Sequence, residues 1–253
     1  MKAFMLETLL VLFALPLCAQ EYKLNKASGR LDISEVNQVT IVGHSGNEII
    51  FTASDHDRGH DERAKGLRSI SSFGLEDNTG LGISVVDKGN VVEVRQLKKM
   101  DGPDITIKVP KGISISLSHT SPHGSDITIN NYDGQLEIST MHNDVRLQNV
   151  TGQIKINTIH GNVDASFDTT PRLPVSIESV HGHVDIAVPT AIKANVKLST
   201  NFGEILVDPD LKIEIERTGE MVKYSDKVVG KINGGGVDLN LSAAHDNVYL
   251  RKK

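Results

Sequence analysis

From about residue 105 onward, apolar and polar positions alternate in short runs: Ile105-Thr-Ile107-Lys-Val109, Ile113-Ser-Ile115-Ser-Leu117 and Ile127-Thr-Ile129. A period of two sends every second side chain to the same face, which marks a strand buried on one side. Helical spacing is nearly absent. Gly, Asn and Asp interrupt the runs every few residues, as tight turns require. The expected class is all-β.

The alternation is also a repeat. Leu136-Glu-Ile138-Ser-Thr140-Met-His142-Asn-Asp-Val145-Arg-Leu147 superposes on Ile154-Lys-Ile156-Asn-Thr158-Ile-His160-Gly-Asn-Val163-Asp-Ala165. Both superpose on Val175-Ser-Ile177-Glu-Ser179-Val-His181-Gly-His-Val184-Asp-Ile186 and on Val196-Lys-Leu198-Ser-Thr200-Asn-Phe202-Gly-Glu-Ile205-Leu-Val207. A weaker fifth copy runs from Val228 through Gly230, Ile232, Gly234 and Val237 to Leu239. Two strands and a corner cannot bury an apolar face alone, but stacked on a like neighbour they can. The architecture predicted is therefore a single-stranded parallel β-helix, or β-solenoid, with its rungs stacked in chain order. A β-sandwich would also supply short strands, yet it gives no reason for side-chain identities to stay in register between copies. The longer pieces, Asp168 to Pro174 and Asp208 to Lys227, are expected to leave the stack as loops at one corner.

Residues 20–104 are less regular. Leu31-Asp-Ile33, Val39-Thr-Ile41, Ile49-Ile-Phe51, Ile83-Ser-Val85 and Val91 to Val94 read as strands, and the polar stretch between Phe51 and Ile83 reads as a long exposed hairpin loop. This part is expected to form the first, more open turns of the same sheet and to cap residues 105–253, as one continuous domain.

The N-terminus sets the compartment. Thr8 to Leu17 is a short apolar run, followed by Cys18-Ala19-Gln20. About ten apolar residues are too few to cross a bilayer, and the pattern suits a secretory signal peptide covering residues 1–19, cut between Ala19 and Gln20. Lipoprotein processing at Cys18 is the alternative, although Leu17 stands where that enzyme takes a small residue; a buried N-terminal helix is the third reading. Cleavage after Ala19 removes the one cysteine, and with it any disulfide or thiol chemistry. The net charge of −5 offers no basic stripe for nucleic acid. No later segment of the mature chain is apolar for long enough to span a membrane. With no Trp and 4% aromatic residues, the chain has few flat faces on which sugar rings could stack.

The candidate chemistry lies at the corners. His123, His142, His160 and His181 fall at matching offsets, and Phe202 continues the series. On successive rungs about 4.8 Å apart these rings would stack as a structural ladder. A divalent-metal site, drawing on Asp144 or His183, is the sharper reading, but translation by one rung points the imidazole nitrogens in parallel instead of converging them. His56-Asp-Arg-Gly-His60-Asp-Glu62 could hold zinc on a helix, yet Gly59 and its surroundings read as a solvated loop. Thr140, Thr158, Ser179 and Thr200 form a column of inward hydroxyls expected to hydrogen-bond along the stack. Asp144, Asp164, Asp185 and Glu204 are the carboxylates an enzyme would need, but Asp164 and Asp185 point outward onto a solvated face. No cofactor is expected.

The run Ile105-Thr-Ile-Lys-Val-Pro110-Lys-Gly112, followed by units ending in Gly-Asn-Val or Gly-His-Val, resembles the adhesin-type β-helix domains of bacterial envelopes, the DUF4097 and head-GIN group. Asp77-Asn-Thr-Gly80-Leu-Gly82 resembles versions from Bacteroidota. The resemblance spans roughly residues 28–250 and implies a secreted, non-enzymatic, right-handed β-helix. Histidine stands here where that group more often carries Ser or another small polar residue. The function expected is adhesin-like binding or a structural role in the envelope, with an envelope protein or surface glycan as partner. A carbohydrate-active β-helix enzyme and a partner in envelope signalling are the alternatives.

Overall fold

The computed structural model describes residues 21–54, 63, 66–67, 69–100, 102–216 and 226–253. The leader with Cys18, Ala19 and Gln20, and the charged stretch His56 to Glu62, lie outside the described residues. Among those described, the chain forms strands only: β1 (Glu21–Asn25), β2 (Gly29–Ser34), β3 (Val39–His44), β4 (Glu48–Ala53), β5 (Ile83–Asp87), β6 (Val91–Gln96) and β7 (Ile105–Pro110). There follow β8 (Ile113–His119), β9 (Ile127–Asn130), β10 (Leu136–Thr140), β11 (Val145–Gln148), β12 (Ile154–Thr158), β13 (Val163–Ser166), β14 (Val175–Ser179) and β15 (Val184–Val188). The last are β16 (Ala194–Thr200), β17 (Ile205–Val207), β18 (Ile213–Ile215), β19 (Asp226–Ile232), β20 (Val237–Ala243) and β21 (Val248–Lys252). No helix among them is long and apolar enough to cross a membrane.

The alternation explains the sheets. In β12, Ile154, Ile156 and Thr158 are buried while Lys155 faces out, and the same phase recurs in β10 and β14. Parallel pairing then sets Ile138, Ile156 and Ile177 side by side, and Val145, Val163 and Val184 likewise. Two sheets thus face each other across one apolar core, a parallel β-solenoid in which each rung is a strand of one sheet, a corner, and a strand of the other. Burying a side chain such as Ile156 stabilises the fold by about 2 kcal/mol, so no rung is stable without its neighbours.

The rungs do not stack in chain order. The β20–β21 rung enters between the β14–β15 rung and the β16–β17 rung. At the other end, the β2–β3 rung enters between the β6–β7 and β8–β9 rungs. The β2–β3 rung near the N-terminus and the β20–β21 rung near the C-terminus are therefore each held one rung inside the stack. Ile205 consequently pairs with Val248, not with Val184. The fifth copy expected from Val228 to Leu239 is no rung: β19 runs antiparallel on β16, and the true unit begins with β20, carrying Leu239, Leu241, Ala243, Val248 and Leu250 inward. Its apolar offsets equal those of the other units, so it fits between any two of them, and spacing along the chain does not reveal which.

Two further expectations change. The stretch after Phe51 does not close a hairpin: β4 pairs antiparallel with β7 in one sheet and β5 antiparallel with β6 in the other. Asp208 to Lys227 is likewise not all loop, since β18 pairs antiparallel with β19 beyond β16. These antiparallel strands, with β1 on β4, cover sheet edges that would otherwise template further pairing.

Candidate binding edge

The corners that join β10 to β11, β12 to β13, β14 to β15, β20 to β21 and β16 to β17 share one edge of the solenoid, and each is four residues long. Their chemistry follows from the unit itself. In three of the five, the hydroxyl ending the first strand turns inward and accepts the amide N–H three residues on: Gly161 N–H to Thr158 Oγ1 at 3.0 Å, Gly182 to Ser179 at 2.9 Å and Gly203 to Thr200 at 2.9 Å. Glycine is required by close approach. A Cβ on Gly161 would lie 1.9 Å from the Asn143 carbonyl oxygen, and one on Gly182 would lie 2.2 Å from that of Gly161. The hydroxyl column also bonds along the stack, from Thr140 to Thr158 at 3.2 Å and from Ser179 to the Gly161 carbonyl at 2.9 Å.

The residue before this glycine, or before Asn143 and Asp246 in the two corners without one, points out. His142, His160, His181, His245 and Phe202 form one column of parallel rings, with successive centroids 4.8, 4.8, 4.7 and 4.7 Å apart. The intercalated rung supplies His245, which the repeat alignment missed. His123 is not in the column. The corner between β8 and β9 has seven residues, and by register Ser121 takes the position that matches His142. Stacking disfavours charge: burial of His160 by its neighbours, then repulsion from His142 and His181, lowers its pKa below the ordinary value. The rings are nearly parallel, so their nitrogens run in rows, and no three His, Cys, Asp or Glu side chains among the described residues group around a metal-sized point.

Three of the four carboxylates singled out from the sequence are engaged. Asp144 accepts the Asn162 N–H at 2.8 Å, which braces a corner. Asp164 meets His183 at 2.9 Å. Asp185 meets Arg251 at 2.8 Å, and that guanidinium lies 4.9 Å from the Tyr249 ring centroid. Asp164 and Asp185 are neighbours on adjacent rungs, but each faces its own partner, His183 and Arg251 respectively. Glu204 is exposed, and its backbone N–H bonds Asn247.

Toward the N-terminal end the same edge opens into a cavity of about 550 Å³. Its walls are the long corners after β6 and β8, the turn at Ser71 to Phe73, and the corner between β2 and β3. Glu35 adopts a left-handed backbone, φ 54°, and its carboxylate clamps the β8 corner by accepting from Thr120 N–H at 3.1 Å, Thr120 Oγ1 at 2.7 Å and Ser121 N–H at 3.2 Å. Partial burial pushes the Glu35 carboxyl up, but these donors and nearby His119 outweigh it and hold the pKa below the usual value. Behind the clamp, buried His119 reaches Asn37 Oδ1 at 3.2 Å, and Asn143 donates to the Asn37 carbonyl at 3.1 Å. His119 Nδ1 and Asn143 Oδ1 have no hydrogen-bond partner among the described residues. Sequence reasoning named none of Glu35, Phe73, Arg95, Lys98, Lys99 or His119 as functional. The adjacent lysines before Gly102-Pro103 were the only local signal.

A family model described as Toastrack DUF4097 matches residues 19–251. No curated protein matches the chain. Among solved structures, a candidate cell adhesion protein from Clostridium sporogenes is 13% identical, with TM-score 0.48, covering 93% of this chain and 100% of that one. A candidate adhesin from Bacteroides fragilis is 11% identical, with TM-score 0.32, covering 92% of this chain and 96% of its own.

Proposed function

We propose, since the chain belongs to the Toastrack DUF4097 family, that it is an exported, non-enzymatic envelope module that binds a partner along its ring-bearing edge in the manner of an adhesin. One observation carries this reading. His160, His181, His245 and Phe202 are exposed in a straight line, Phe202 by 74%, although nothing in the core needs them there. Their faces are spent on one another, so the edge presents a row of imidazole N–H and N groups held rigidly by the corners beneath. Such a row can make repeated hydrogen bonds at small conformational-entropy cost, which suits binding an extended surface. The engagement of Asp144, Asp164 and Asp185 with structural partners supports a role without bond cleavage. Export rests on the apolar leader and a cut between Ala19 and Gln20.

The test uses the mature protein, fluorescently labelled, on isolated native envelopes. A His160→Asp/His181→Asp/Phe202→Ser variant is expected to lose at least tenfold in bound protein while its melting curve stays within a few degrees of wild type. Retained binding by that variant, or release of reducing sugar ends from the envelopes by the wild type, overturns the reading. Intact-mass analysis of the native protein checks export, with Gln20 expected as the first residue; a mass that retains acylated Cys18 would establish a lipid anchor instead.

A further inference from the structure

We propose that the cavity at the N-terminal end of the edge is a second binding site, separate from the ring column, for an amphipathic carboxylate: one anionic group on an aliphatic or aromatic body. Three fixed cations, Arg95, Lys98 and Lys99, line it against the single carboxylate of Glu35, and His123 adds an imidazole. In a chain of net charge −5 this is a local excess of positive charge. None of the three cations has an ion-pair or hydrogen-bond partner for its side chain among the described residues. Glu93, two residues before Arg95 on the same strand, is ion-paired with Lys88 at 2.7 Å, and Arg95 acts on it only from beyond ion-pair distance. Glu35 is consumed by its clamp on Thr120 and Ser121. The cations are therefore available to a ligand.

The remaining walls define the rest of that ligand. Phe73, Leu75, Leu97 and Pro122 contribute apolar surface, and Phe73 is 77% exposed at the tip of its turn. A free inorganic anion would leave that surface unused, and the cavity is far larger than such an ion; about 300–1,000 Å³ is the range of sites for small organic molecules. A nucleic acid would need cations in a continuous track, whereas these sit at one point. A neutral sugar would leave three cations unpaired. An anion with an apolar body meets both parts of the wall. That chemistry has two sources, an acyl carboxylate and the free C-terminus of a peptide that ends in an apolar residue.

Calorimetric titration of the mature protein distinguishes them. The probes are decanoate below its aggregation concentration, decanol, acetate, and the tripeptide acetyl-Ala-Ala-Leu as free acid and as amide. Decanoate, the peptide acid or both are expected to bind at least tenfold more tightly than decanol, acetate and the amide, and binding should weaken as salt is raised. Lys98→Gln/Lys99→Gln is expected to weaken binding at least tenfold and Phe73→Ser at least threefold, both with unchanged circular dichroism. The control His160→Asn/His181→Asn should bind as wild type, so that failure of this site and failure of the ring-edge reading are separate results. Absence of binding by every carboxylate probe, equal affinity for decanol, or indifference to the double lysine variant overturns the proposal. Binding only to vesicles of anionic phospholipid would overturn it too, in favour of a membrane-docking surface.

Discussion

The middle and the N-terminal end of the solenoid are built from the same rung, yet they present opposite surfaces. In the middle, four-residue corners turn one ring outward per rung, three of them with a hydroxyl held against a glycine amide, which gives a flat ladder. At the N-terminal end the corners after β6 and β8 have eight and seven residues, the glycine register is lost, and the edge opens into a cavity. Strand chemistry is shared and corner length is not. Core and surface are thus set by separate parts of the unit, and a solenoid can change what it binds without repacking what holds it together.

The largest expected effect tests whether the two regions are one folding unit. Ile156 in the middle and Ile33 near the N-terminal end are each 1% exposed in the same continuous core. An aspartate at either site buries a charge with no partner, at a cost of about 4 kcal/mol or more. Ile156→Asp and Ile33→Asp are each expected to abolish the whole urea transition followed by circular dichroism. If Ile33→Asp leaves a residual cooperative transition, the N-terminal region is a separate domain and the shared-core half of the comparison fails.

A smaller effect separates the corners themselves. Gly161→Ala drives a methyl group into the Asn143 carbonyl of the preceding rung, and is expected to cost about 3 kcal/mol. Gly89, in the turn between β5 and β6, has positive φ but open space around its missing Cβ, so Gly89→Ala should cost only about 1 kcal/mol. Urea midpoints of the two variants measure the difference. Equal losses would mean that backbone conformation, not rung spacing, selects glycine at the ladder corners.

What was legible beforehand follows the same division. The period-two pattern revealed the buried faces of β10 to β16, because each strand carries its facing in its own residues. The order of stacking was not legible. β20 and β21 repeat the offsets of their neighbours, and an interlock that brings Val248 between Val184 and Ile205 leaves no mark in local spacing. The ring column was visible at His142, His160, His181 and Phe202, whose four-residue corners follow strands that share the repeat. It failed at His123, where three extra residues shift the register, and at His245, whose rung had been sought at Val228. The cavity was least legible, since Phe73, Arg95, Lys98 and Glu35 come from different corners and only the fold assembles them.

The smallest expected effect asks which histidine makes the molecule sensitive to acid, the ladder or the buried end. His119 occupies the inward position held by Thr140, Thr158 and Ser179 on the following rungs, so an imidazole fills a place built for a hydroxyl. Burial lowers its pKa below the ordinary value. Glu35 and Asn143 pull it upward, while His142 and His123 add to the lowering. His160 is lowered as well, but it stands in solvent, where screening weakens any effect on stability. A histidine whose folded-state pKa is depressed contributes stability that is whole above the unfolded value of about 6.5. That contribution is lost as pH falls below this value, because the unfolded chain takes up the proton first. The wild-type urea midpoint is therefore expected to drop between pH 7.5 and pH 5. His119→Thr, which installs the residue that the column carries elsewhere, lowers the midpoint at both pH values by leaving space behind, yet should remove most of the difference between them. His160→Asn should remove little of it. If the difference instead survives His119→Thr and disappears when His142, His160, His181 and His245 are all replaced by asparagine, the ladder is the titrating element, and the buried end only shares its core.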